Sequence, residues 1–174
     1  MPYIKQDHRP DYENDLIQLA KLVNSEGTLD MGLHMGVLLS LSSTIKKYYD
    51  LDAKLRPGHL NYSITTLFHK VYGAKMRYYD HNEVIGILAQ VGLGIKDRAT
   101  VKYSASGTKQ EKLLISILEL VMLAYDNNIS DTTEGIEVAG MLNCCSMEFY
   151  RRSTSTYEDE CIEKNGDVTP EGLE

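Results

Sequence analysis

The sequence predicts an all-α protein: a single compact domain of three helix-loop-helix repeats, about six helices, followed by a polar C-terminal tail. Three observations carry this. Apolar residues recur at spacings of three and four while Val and Ile seldom alternate with polar residues, which is the helical period. One pattern is written three times, around Met35-Gly36-Val37-Leu38, Ile85-Gly86-Ile87-Leu88 and Ala139-Gly140-Met141-Leu142. And 174 residues, 43% hydrophobic and 25% charged with 4 Pro, can bury one core without disulfide or metal support.

Each unit pairs two apolar stripes. Near residues 11–49, Leu16, Leu19, Ala20 and Val23 precede Val37, Leu38, Leu41 and Ile45. Near 59–98, Ile64, Leu67, Phe68 and Val71 precede Ile87, Leu88, Val91 and Ile95. Near 110–152, Leu118, Val121, Met122 and Tyr125 precede Met141, Leu142, Cys145 and Phe149. Asp30, Asp80 and Asp131 are the expected N-caps of the second helices, and Glu83 and Glu134 stand where a capping box needs them. Turn-forming residues join the units at Arg56-Pro57-Gly58 and Ser104-Ala105-Ser106-Gly107.

A helical hairpin cannot bury its apolar face alone, so the three must share a core, as a stacked array or a closed bundle. Gly36, Gly86 and Gly140 lie mid-helix, where each costs about 1 kcal/mol relative to Ala, and a close helix crossing is the expected compensation. The helical domain therefore runs over 1–152. From 153 to 174 seven acidic residues and few apolar ones predict an acidic, extended tail, anchored at its start by Tyr157.

A formal charge of −7 disfavours a phosphate backbone, so no nucleic acid is expected as partner. No apolar run reaches the length of a membrane span, so no membrane is expected either. Cys144, Cys145 and Cys161 fit neither a disulfide framework nor a zinc site, and read as reduced thiols in a cytoplasmic protein. The aromatic residues are 12 Tyr against 2 Phe and no Trp, a bias suited to binding surfaces.

The candidate site is a set of local positive spots at the ends of the second helices: Lys46, Lys47 and Tyr49; Lys96 and Arg98; Tyr150, Arg151 and Arg152. Cations in a last turn are also favoured by the helix dipole with no ligand involved. If three pseudo-symmetric units gather these ends, they form a basic, Tyr-lined pocket for a phosphorylated small molecule or an acidic protein surface.

Catalytic constellations are thin. Glu134 and Glu137 with Glu160 and Glu163 resemble the carboxylate pairs of all-helical, magnesium-dependent nucleotide pyrophosphohydrolases, which would require all four to converge. His34 falls on an apolar stripe and reads as a core histidine, and Cys145 as an inert core thiol. No nucleophile elbow or P-loop is present, and no cofactor is called for.

Several fragments carry a family resemblance: Pro2-Tyr3-Ile4-Lys5-Gln6, Leu60-Asn61-Tyr62-Ser63-Ile64-Thr65, Asn82-Glu83-Val84-Ile85-Gly86, Glu148-Phe149-Tyr150-Arg151-Arg152, Tyr157-Glu158-Asp159 and Asn165-Gly166-Asp167-Val168. In this order they resemble an uncharacterised family of small proteins encoded by bacteriophages and bacteria. Its members are shorter, so the chain looks like a duplicated and diverged version. The resemblance implies a cytoplasmic, phage-type protein and transfers no reaction, cofactor or catalytic residue.

The resulting expectation is a non-enzymatic binding protein, acting on a host protein or a host-defence signal nucleotide through the basic helix ends. A magnesium-dependent pyrophosphohydrolase and a structural or assembly component, including a homo-oligomer, stay open as alternatives.

Overall fold

The computed structural model describes residues 4–73, 75–96, 107–129 and 133–166. The six helices of the repeat are present: α1 (Pro10–Asn24), α2 (Met31–Leu51), α3 (Arg56–Tyr72), α4 (Tyr78–Lys96), α5 (Lys109–Ala124) and α6 (Thr133–Phe149). A π-helical turn, Tyr150–Thr154, leads into a seventh, α7 (Ser155–Asn165). The described residues contain no strand.

Local chemistry sets the starts. The Asp30 carboxylate accepts from the Leu33 N–H at 3.0 Å and caps α2 as expected. Pro10 and Pro57 sit in the first turns of α1 and α3, where a missing N–H costs nothing. The reciprocal capping box is Thr108 with Glu111, opening α5. Asp80 is not an N-cap. It lies inside the first turn of α4 and accepts from the Arg77 N–H at 2.8 Å. Glu83 instead takes hydrogen bonds from the Tyr72 hydroxyl (2.9 Å) and the Gln110 amide (2.6 Å). Asp131 lies outside the described residues.

The stripes form one continuous core. Nearly every residue named from spacing is buried, with Ile95 and Met122 partly so at its margin. The helices run in two antiparallel layers. Paired contacts at constant offset make α1, α3 and α6 parallel: Tyr12 with His59 and Asn24 with Val71, then Arg56 with Glu137 and Phe68 with Phe149. In the second layer, His34 with Ser116, Lys46 with Asp126 and Glu83 with Gln110 make α2, α5 and α4 parallel. Lys47 reaching Asp11 sets the layers antiparallel. The heavily buried α3 and α5 occupy the middle.

This arrangement corrects the picture of three like hairpins. Only α1 and α2 pack as one; the main neighbours of α4 are α5 and α6, and α6 packs on α3 and α4. The third unit is inverted, because its first helix joins the layer of the other units' second helices.

Two further expectations fail. Gly36, Gly86 and Gly140 are exposed, and a Cβ added at any of them would meet nothing within 4 Å, so they mark no close crossing. The tail is not extended through Asn165: α7 continues the chain helically to a stop at Gly166, which has φ of +82°. Tyr157 does anchor it, packing its ring 5.2 Å from His81.

Candidate functional site

The parity of the layers decides where the basic helix ends fall. The C-terminal ends of α2 and α4 share one end of the bundle with the start of α6, where Arg56 lies 4.4 Å from the Tyr49 ring and 3.2 Å from Glu137. Tyr150, Arg151 and Arg152 lie at the opposite end, about 20 Å further along α6 at about 1.5 Å per residue. The structure therefore does not gather the expected pocket.

At the first end the cations are matched by the chain's own carboxylates. Lys46 pairs with Asp126, and Lys47 with Asp11 at 2.8 Å. Lys47 and the Tyr48 hydroxyl together hold the Asp11 carboxyl below the usual carboxylate range. Arg56, largely enclosed, stacks between Tyr49 and Tyr125, 3.7 Å from the latter's centroid. Tyr125 donates to Glu137 at 2.5 Å. Beneath lies a ring stack in which His8, Tyr48 and His59 follow at 4.1 and 4.3 Å, with the Tyr12 hydroxyl 2.7 Å from His59 Nδ1. These groups form a structural clasp in which His8 Nδ1 alone is buried with no hydrogen-bond partner among the described residues. Lys96 ends α4 on this side, and Arg98 lies outside the described residues.

The opposite end holds a cleft of about 640 Å³. Its walls are the end of α3 (His69, Gly73), the α3–α4 connection (Lys75, Met76), His81 of α4, the π-helical turn (Arg152, Ser153) and α7 (Thr156, Tyr157, Glu160). Gly73, at φ +79°, takes the left-handed conformation that ends α3 and releases the chain toward Lys75. The π turn is a rare geometry often found at functional sites. It carries Arg152 to the rim and buries Thr154, whose hydroxyl is 3.1 Å from His81 Nδ1.

His81 is buried between the rings of Phe149 (5.8 Å) and Tyr157 (5.2 Å). Loss of hydration lowers its pKa, opposed by Asp80, Glu158 and a hydrogen bond to the Met76 main chain. The exposed His69 rests 5.9 Å from Phe149, and desolvation lowers its pKa as well. Arg151 and Arg152 both pair with Glu148, Arg151 at 2.9 Å. Tyr150 donates to Glu158 at 2.5 Å, tying the turn to α7.

Of the eight sequence-predicted site residues, Arg152 lines this cleft. His69, Lys75, His81 and Tyr157 were not predicted as site residues, and Glu160 was named only as a carboxylate of the pyrophosphohydrolase alternative. The nearest sequence signal was the fragment from Glu148 to Asp159, which spans the π turn and Tyr157.

The four carboxylates of the pyrophosphohydrolase alternative do not converge. Glu137 belongs to the Arg56 clasp, whereas Glu160 is on α7 with Lys164 at 3.8 Å. Among the described residues no group of three His, Cys, Asp or Glu could hold a metal ion. His34 is a core residue: Ser116 gives its proton to the Lys112 carbonyl at 2.7 Å, so His34 Nε2–H donates to Ser116 at 2.8 Å. Burial pushes the Cys145 thiol up to about 12, which makes it an inert core group. No described helix is long and apolar enough to cross a membrane.

The model of a family described as Domain of unknown function (DUF6899) matches residues 1–112 and 115–168. No curated protein and no solved structure matches the chain.

Proposed function

We propose a function for a chain that belongs to the DUF6899 family: it is a non-enzymatic binding protein that holds a phosphorylated small molecule in the cleft beside the π turn. One observation carries this reading. The cations of Lys75 and Arg152 line one cleft with the imidazoles of His69 and His81 and the one lining carboxylate of Glu160, in a protein of net charge −7. The volume suits a small ligand, since such sites run from about 300 to 1,000 Å³. Arg152 pairs with Glu148 and stands at the rim of the cleft, and its guanidinium is the side chain best shaped for a planar bidentate grip on phosphate. The likeness to phage- and bacterium-encoded sequences supports a host metabolite or host-defence signal as the molecule held.

The test is a thermal-shift and calorimetric panel of phosphorylated metabolites beside their dephosphorylated counterparts. At least one phosphorylated compound should bind unchanged by mass spectrometry, with its counterpart at least tenfold weaker. Lys75→Ala and Arg152→Ala should each weaken it about tenfold, as loss of a charge-assisted hydrogen bond does. No binding across the panel, binding indifferent to both variants, or turnover would contradict the proposal.

A further inference from the structure

We infer that the phosphorylated molecule is a nucleoside phosphate, which rests on reading the cleft as its binding site. The lining is divided by chemistry. Lys75 and Arg152 supply the cationic part. The half-buried Tyr157 ring, backed by the buried His81 ring 5.2 Å away, forms an aromatic wall bordered by Met76. Glu160, with the hydroxyl residues Ser153 and Thr156, supplies hydrogen-bonding groups, of which the carboxylate accepts only.

Candidate ligands use these parts unequally. A bare phosphate uses the cations alone and fills a small part of about 640 Å³. A sugar phosphate adds hydroxyls for Glu160 but leaves the rings bare. A polyphosphorylated ring, anionic on every side, sets a phosphate near the Glu160 carboxylate, and like charges at short range repel. A nucleoside phosphate engages all three parts: the phosphate with Lys75 and Arg152, the ribose or an exocyclic amine with Glu160, and the base with the Tyr157 ring. A base on an aromatic face gains about tenfold or more in affinity, with little dependence on which base it is.

Calorimetry of the full chain with AMP, GMP, CMP, UMP, ribose 5-phosphate, inositol hexakisphosphate and inorganic phosphate tests this. At least one mononucleotide should bind tenfold or more tightly than ribose 5-phosphate, and inositol hexakisphosphate should bind more weakly than that nucleotide. Tyr157→Leu should bring the nucleotide down to the level of ribose 5-phosphate, whereas Tyr157→Phe, which keeps the ring, should stay within about threefold of the unaltered chain. Ribose 5-phosphate or inositol hexakisphosphate binding as tightly as every nucleotide overturns the nucleoside assignment and leaves the phosphate reading standing. Failure of every phosphorylated compound to bind overturns both. The ranking on the unaltered chain decides the matter even if Tyr157→Leu does not fold.

Discussion

Replacing Gly36, Gly86 and Gly140 by Ala should stabilise the protein. Each glycine lies in a helix interior, and a methyl group added there meets nothing within 4 Å. Ala in place of Gly lowers the backbone entropy of the unfolded chain and leaves the native contacts alone, a gain of about 0.8–1 kcal/mol per site. The sites share no partner, so the triple variant should gain about 2–3 kcal/mol. At about 2–4 °C per kcal/mol for a chain of this size, Tm should rise by roughly 5–10 °C. Calorimetry of the single and triple variants, with urea denaturation to obtain the free energy, measures this. A fall in Tm for any single variant would refute the reasoning, because it would mean that the glycine supports a close approach.

Arg56→Ala should destabilise the fold by about 2–3 kcal/mol in urea denaturation, since it opens the Tyr49–Arg56–Tyr125 stack and leaves the Glu137 carboxylate half-buried without its cation. Stability should also fall on acidification. Burial lowers the pKa of His59 from 6.5 to about 4, with the nearby His8 adding to the effect. Between those values the unfolded chain binds more protons than the folded one, so stability is complete above pH 6.5 and declines toward pH 4. His59 alone contributes a loss of about 2–3 kcal/mol by pH 4.5. His34 acts in the same direction. Denaturation curves at pH 7 and pH 4.5 check this, and equal midpoints would contradict it.

The helices were legible because each stripe is a local property. Val37, Leu38, Leu41 and Ile45 fall on one side of α2, and all four are buried. The same wheel places Gly36 about 150° from the centre of that stripe, so its exposure was in the sequence too, hidden by the attention its recurrence drew. What the stripes did not encode was direction. A buried face is satisfied by a parallel or an antiparallel neighbour, and nothing in Met141, Leu142, Cys145 and Phe149 states that α6 runs alongside α3 and against α4. Inversion of the third unit then sends Arg152 to the far end from Lys47. α7 escaped notice because none of its side chains is fully buried: it is held by Tyr157 on His81 and by pairs along its own surface, such as Glu160 with Lys164. The cleft was unreadable for a related reason. His69, Lys75 and His81 are isolated in the sequence, and only the return of the π turn across the end of α3 brings Arg152 beside them.

The most direct measurement is a two-dimensional amide NMR titration of the full chain with the phosphorylated compound that binds best. Saturable shifts should cluster at His69, Lys75, His81, Arg152 and Tyr157, while Lys46, Lys47 and Tyr49 at the opposite end stay in place. Shifts concentrated at Lys46, Lys47 and Tyr49, with the π turn unmoved, would show that the ligand sits at the wrong end of the bundle for the mechanism described.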